Sequence, residues 1–287
     1  MAEEAPFRSG FAAIVGRPNV GKSTLVNRIL GRKVTIVAAS AHTTRFAVRG
    51  VLDVPGHQLV LVDTPGIHRP RSALGARLNE TASASLADPD ATVLVVEASS
   101  PVGRGDRYIA ARCPPDTVVV VNKVDVVSRR AVLEQLRTAA SVLDLPDAEY
   151  FPVSARTGAG VPALVEHLLA RLPEGPRYFP PGMPTDLGED EMIAELVREQ
   201  LLRFAREELP HSIACQVTER EGARIRCEIV VERPSQKAIV IGRRGENLRA
   251  VGSAVRAQLP PGTYLELFVR VERDWQRRDD AVRRLGY

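Results

Sequence analysis

The chain has 287 residues, enough for two domains at roughly 100–200 residues each. With 44% hydrophobic and 26% charged residues it fits neither a disordered chain nor a disulfide scaffold, and Cys113, Cys215 and Cys227 form no C-x-x-C pair for zinc or redox chemistry. The net charge of +4 is uneven: residues 232–287 carry 12 Arg/Lys against 7 Asp/Glu, and residues 1–231 carry 27 against 28, so a basic surface suited to phosphate polymers or anionic membranes is expected near the C-terminal end.

The start MAEEAPFRSG lacks the basic and apolar regions of a signal peptide and no apolar run reaches the ~18 residues of a membrane span, so a cytoplasmic location is expected. From there, short and nearly continuous apolar runs at 11–15, 58–62, 91–96, 117–121 and 150–153 read as strands buried on both faces of a parallel sheet. Segments 22–30, 74–86, 129–143 and 161–172 have the length and spacing of crossover helices, which predicts a doubly wound α/β domain. Residues 46–54 run through Pro55-Gly56-His57 straight into the next strand, as an antiparallel edge hairpin does. A segment with five prolines, 173–186, reads as an extended spacer. Beyond it, 190–209 places Ile193, Val197, Leu201 and Phe204 on one helical stripe with charges opposite. Strand-like runs at 212–218 and 224–231, helical segments about Gly242–Gly245, and a strand at 264–271 complete a small α+β domain. The expected division is 1–175, a linker at 176–189, and 190–287.

The chemistry is concentrated in four short motifs. Gly16-Arg17-Pro18-Asn19-Val20-Gly21-Lys22-Ser23 matches G-x-x-x-x-G-K-[ST] directly after a strand and opens a helix, the context of a phosphate-binding loop. Its backbone N–H groups and helix N-terminus cradle phosphates, Lys22 reaches the β/γ-phosphates, and Ser23 is a magnesium ligand. Asp63-Thr64-Pro65-Gly66 ends the third strand: a carboxylate there holds magnesium through water, and the Gly66 N–H senses a γ-phosphate. Asn122-Lys123-Val124-Asp125 selects guanine, because Asp125 accepts from the N1–H and N2 amino groups that adenine lacks there, while Asn122 meets the Hoogsteen edge and braces the loop. Ser154-Ala155 offers a backbone N–H to guanine O6. In the loop at 31–45, Thr43 or Thr44 is the second hydroxyl for magnesium, with Thr44 preferred. Ile67 follows Gly66 where a water-positioning glutamine stands in Ras-like enzymes, so slow intrinsic hydrolysis is expected; His68 is read as a bystander. Lys22, Thr44 and Gly66 are the expected catalytic groups.

Val240-Ile241-Gly242-Arg243-Arg244-Gly245 is a V-I-G-x-x-G loop between helices, the pattern with which KH domains clamp about four nucleotides. Together with GRPNVGKST at 16–24, TTR at 43–45, VDTPGIH at 62–68, NKVD at 122–125, SARTG at 154–158, ELPHS at 208–212, VERPSQKAIVIGRRG at 231–245 and LGY at 285–287, it makes the chain resemble the Era family of bacterial GTPases over essentially its whole length. The resemblance implies a P-loop GTPase domain with a mostly parallel sheet, followed by a type II KH domain that binds the 3′ region of 16S rRNA in small-subunit (30S) assembly. It further implies Mg2+, K+ through Asn19, peripheral contact with the inner membrane, and a monomer. The chain departs from the family pattern at Arg243-Arg244, where lysine is usual, and at His42, where glutamine usually precedes the switch threonines. A GTP-occupied binding module without turnover, and a membrane-surface GTPase, are the competing readings; hydrolysis with and without ribosomal particles separates the first, and vesicle flotation at rising salt the second.

Overall fold

The computed structural model describes residues 6–38, 43–66, 72–84, 88–204 and 212–287. It divides into two compact units, one comprising Met1–Thr35, Thr44–Arg69 and Leu78–Asp186, the other Ile36–Thr43, Pro70–Arg77 and Leu187–Tyr287.

In the first unit six strands, β1 (Arg8–Val15), β2 (Val48–Val54), β3 (His57–Asp63), β4 (Ala91–Glu97), β5 (Val118–Asn122) and β6 (Glu149–Pro152), form one sheet in the order β2-β3-β1-β4-β5-β6. All neighbours are parallel except β2 and β3, the expected edge hairpin, whose turn at Pro55-Gly56 has φ of 76° at the glycine. Val118 to Val121 are buried throughout because helices cover both faces. Each such valine contributes about 1.5–3 kcal/mol. Helices α1 (Lys22–Leu30) and α5 (Val161–Ala170) close the core on one face, and α3 (Arg104–Ala110) and α4 (Arg129–Val142) that on the other. A further helix, α2 (Ala73–Ala84), precedes β4. The parallel strands end at Val15, Asp63, Asn122 and Pro152, so the four nucleotide motifs emerge at the C-terminal edge where doubly wound sheets bind ligands.

Two features differ from the sequence reading. The seven-residue α3 is too short to carry an apolar stripe and has no sequence signature; Ile109 and Ala110 are its buried apolar residues. The proline-rich segment is extended but not a free spacer. Tyr178 and Phe179 donate their N–H groups to the buried Gln58 Oε1 (2.8 and 2.9 Å), Gln58 Nε2 donates to Phe179 O (2.9 Å), and Val51 N–H donates to Pro184 O (2.9 Å). Prolines suit such a strap because they keep it extended while its remaining polar groups find partners on the sheet.

In the second unit, α6 (Glu189–Phe204), β7 (Ala214–Glu221), β8 (Arg224–Val231), α7 (Pro234–Ile241), α8 (Glu246–Arg256), β9 (Tyr264–Val271) and α9 (Asp279–Arg284) follow in the expected order, α9 being additional. The sheet order is β7-β8-β9, with β7/β8 antiparallel and β8/β9 parallel. Ile193, Val197 and Leu201 of α6, with Val240, Val251 and Val255 of α7 and α8, pack on Ile225, Cys227, Ile229, Leu265 and Val269. The polar face of α6, expected in solvent, is buried at Glu195, Arg198, Glu199 and Gln200. Its charges have partners: Arg198 pairs with Glu195 (2.6 Å) and donates to Thr43 O, and Glu199 Oε1 accepts from Val37 N–H (3.0 Å), so Val37 and Thr43 of the same unit lie against that face. Burial pushes the Cys113 thiol up to about 11 and that of Cys227 to about 12, consistent with inert packing groups. No helix among the described residues is long and apolar enough to cross a membrane.

Candidate functional site

Between β1 and α1 the chain passes through two glycine conformations that no side chain would tolerate. A Cβ on Gly16 (φ 149°) would lie 2.5 Å from Val95 O, and one on Gly21 (φ 102°) 2.2 Å from Asn122 Nδ2. Helix α1 then starts with no side-chain cap and no acidic residue in its first turn, leaving its first N–H groups for an anion. Lys22 is buried within this loop, its Nζ donating to Gly16 O (3.0 Å) and Arg17 O (3.1 Å); burial lowers its pKa to about 8, against the opposing pull of Asp63. Arg17 Nε meets the buried Asp106 at 2.8 Å and ties the loop to α3.

Asp63 closes β3 fully buried. Its Oδ2 accepts from Thr35 Oγ1 (3.0 Å) and Thr44 Oγ1 (3.4 Å), and Ser23 Oγ lies 2.9 Å from Thr44 Oγ1. Its Oδ1 has no hydrogen-bond partner among the described residues. Burial raises the Asp63 pKa, opposed by the Lys22 charge and by the Ser23, Thr35 and Thr44 hydroxyls. Hard oxygen donors around an unsatisfied buried carboxylate oxygen fit a small divalent cation such as Mg2+. Thr43 Oγ1 instead donates to Ala38 O (3.3 Å). Thr64 Oγ1 donates to Ile14 O (2.8 Å), and a Cβ on Gly66 would lie 2.9 Å from Pro18, so the turn at 64–66 lies against the phosphate loop. Ile67, His68 and His42 lie outside the described residues.

At the other end, Asn122 joins two motifs: its Nδ2 donates to Val20 O (2.8 Å) and its Oδ1 accepts from Ala155 N–H (3.0 Å). Both backbone N–H groups of Ser154-Ala155, which the sequence reading offers to guanine O6, are engaged within the protein, that of Ala155 with Asn122 and that of Ser154 with Ala159 O (2.9 Å). Lys123 adopts φ of 65° and its Nζ meets Glu97 Oε2 at 2.9 Å. Val124 N–H donates to Val153 O (3.2 Å). Asp125 accepts from Ser154 Oγ (2.6 Å) and from Arg156 Nε (2.9 Å), and these partners, Ser154 foremost, hold its carboxyl below the usual range. Arg156 is largely exposed.

In the second unit α7 and α8 meet at Gly242–Gly245. A Cβ on Gly242 (φ 73°) would lie 2.7 Å from Asn247, whose Nδ2 donates to Ile239 O (2.8 Å), whereas Gly245 (φ 79°) faces open space. Arg243 and Arg244 are exposed, and Arg249 Nη2 donates to Arg244 O (2.6 Å), fixing the loop from α8. Ile241 is partly buried against the core.

Thr35, Glu97, Asp106 and Arg156 were not foreseen as members of these sites. Thr35, Glu97 and Asp106 belong to no contiguous motif, and Arg156, though within SARTG, was given no role; each reaches its partner through tertiary folding, and the one local signal was the position of Glu97 at a strand's C-terminal end.

A doubly wound sheet with a phosphate loop, a buried carboxylate among hydroxyls and a guanine-type loop, followed by a helix-paired G-x-x-G unit, defines a P-loop GTPase joined to a KH domain. A family model described as 50S ribosome-binding GTPase matches residues 11–123, and one described as KH domain matches 208–276. The chain is 45% identical to GTPase Era of Mycobacterium tuberculosis strain H37Rv and 43% to that of Geobacter metallireducens, covering 98% of this chain in both and 99% and 98% of the relatives. It matches, at TM-score 0.92 and 38% identity over 98% of this chain and 99% of the other, a crystal structure of Era in complex with MgGDPNP and nucleotides 1506–1542 of 16S ribosomal RNA. An Aquifex aeolicus Era variant bound to GDP·AlF4− matches at TM-score 0.91 and 38% identity, with the same coverage. The chain belongs to the Era family, and it is a GTPase.

Proposed function

We propose that this GTPase binds the 3′ region of 16S rRNA through Gly242–Gly245 and acts in 30S assembly, with GTP hydrolysis timing the RNA-bound state. The observation that carries this reading is the likeness, over 98% of the chain, to an Era structure holding that RNA segment. In hydrolysis a water oxygen bonds to the γ-phosphorus as the bond to the β–γ bridging oxygen breaks, giving GDP and phosphate. The backbone of Gly16 to Gly21 cradles the phosphates, Lys22 bridges the β- and γ-groups, and the Gly66 N–H meets the γ-phosphate. Ser23, Thr44 and Asp63 hold Mg2+, which supplies positive charge opposite the phosphate oxygens. Asn122, Lys123, Val124 and Asp125 with Ser154 and Ala155 bind guanine. Ile67 leaves the attacking water without a glutamine, so the intrinsic rate is low. A potassium ion at Asn19 fits the same need for charge, and single-turnover rates equal in potassium and sodium salts would remove it. The protein works as a cytoplasmic monomer, with peripheral inner-membrane contact through its basic C-terminal region.

Crosslinking the full chain to total RNA and sequencing the recovered fragments tests the reading. Enrichment of the 16S 3′ end is expected; an even spread over all RNAs overturns it.

A further inference from the structure

The charged side chains of the second unit fall into two sets. On the sheet and tail, several arginines have acidic partners: Arg224 with Glu266, Arg226 with Glu219, Arg270 with Glu228 and Glu272, and Arg278 and Arg284 with Glu272, whereas Arg273, Arg277 and Arg283 of the tail form no ion pair among the described residues. From α7 through the G-x-x-G loop to α8, Arg233, Lys237, Arg243, Arg244, Arg249 and Arg256 form no ion pair among the described residues. The helical side thus presents unpaired cations around the G-x-x-G loop to a polyanion. At its border stands Phe268, on the edge strand β9, 45% exposed; Ile239 of α7 and Tyr264 of the same strand are exposed as well. Two cations from different elements flank its ring: Arg226 Cζ of β8 at 5.4 Å and Lys237 Nζ of α7 at 5.8 Å from the centroid. Lys237 lies five residues before Gly242, about 7.5 Å along the helix, within the span of the roughly four nucleotides such a loop clamps.

We propose that Phe268 is a stacking platform for one base of the single strand held at Gly242–Gly245, with Lys237 and Arg226 placed for the flanking phosphates. The inference rests on the RNA-binding reading above and adds a base-contacting residue to it. An exposed aromatic ring beside the unpaired Lys237 matches a nucleobase, whose face is apolar and whose backbone is anionic; a base paired in a duplex offers no free face. Tyr264, four residues along the same strand and about 13 Å away, is also exposed, but the cation beside its ring, Arg224, is paired with Glu266 and it has no counterpart of the unpaired Lys237 among the described residues, so it serves as an internal control.

The test measures binding of the full chain to a fluorescein-labelled RNA of 16S nucleotides 1506–1542 over a range of salt. Phe268→Leu is expected to weaken binding on the order of tenfold with an unchanged salt slope, because stacking releases no counterions. Phe268→Trp restores affinity, Tyr264→Leu stays within twofold, and Lys237→Ala lowers the slope by about 0.7. Phe268→Leu within twofold of the parent, while Gly245→Asp is defective, overturns the proposal, keeps the loop reading, and assigns the exposed ring to a protein surface. A Phe268→Trp protein with a native melting profile that stays weak also overturns it. A parent chain that does not bind this RNA refutes the reading beneath both.

Discussion

The nucleotide site of one unit and the G-x-x-G loop of the other hold charge in opposite ways. At the nucleotide site Lys22 and Asp63 are buried, shifted from their ordinary pKa values by desolvation, and held by short contacts to backbone carbonyls and hydroxyls. Around the G-x-x-G loop the arginines are exposed. The difference matches the ligands: a small anion of fixed shape is recognised by preorganised groups that water cannot screen, whereas a flexible polyanion is recognised by many screened contacts, each weak.

The comparison breaks most visibly at Lys22. Lys22→Ala removes the buried ammonium that the loop is built around, and nucleotide affinity is expected to fall by more than about a hundredfold, with RNA affinity measured without nucleotide unchanged. Fluorescent GTP-analogue titration beside RNA anisotropy reads both. Next is Asp125→Asn, which leaves guanine N1–H and N2 facing an amide donor: GTP is expected to weaken by about a hundredfold and xanthosine triphosphate to gain. GTP affinity within about threefold of the parent would take Asp125 out of base recognition.

On the other side of the comparison, Gly245→Asp adds a carboxylate in open space at a positive φ, so the fold is strained by only about 1 kcal/mol while the phosphate path acquires a negative charge. RNA affinity should fall by about tenfold or more, with GTP binding intact; unchanged RNA binding would relocate the site to the tail around Arg277, Arg278, Arg283 and Arg284, of which Arg278 and Arg284 are already paired with Glu272. Smallest is Arg243→Ala or Arg244→Ala, each expected to cost a few-fold for every RNA sequence and to lower the salt slope by about 0.7. A sequence-selective loss would instead make that arginine a reader of bases.

The nucleotide motifs were legible because each is contiguous and sits at a strand end, where a buried strand stops and the chain must turn. The loop between α1 and β2 was half legible. Two adjacent threonines were in view, and the chain's path places Thr44 Oγ1 2.9 Å from Ser23 while turning Thr43 toward Ala38. Thr35 on Asp63, Arg156 on Asp125 and Asp106 on Arg17 were not legible, since residues 28, 31 and 89 positions apart carry no periodic signal of their meeting. The buried polar face of α6 misled for the same reason: a charged stripe reads as solvated unless what lies against it is known. Phe268 read as one more apolar strand residue, and only its exposure and its two cations mark it out.

The measurement that bears most directly on this contrast is a salt titration of both ligands on one preparation, GTP with magnesium and the 16S 3′ fragment, each without the other. Log affinity for the RNA is expected to fall against log salt with a slope of magnitude about 2 or more, several single-strand phosphates being neutralised at about 0.7 each, while the slope for GTP stays well below that. Equal slopes for the two ligands, or an RNA affinity indifferent to salt, would contradict the assignment of buried, fixed charge to the nucleotide site and exposed, exchangeable charge to the G-x-x-G loop.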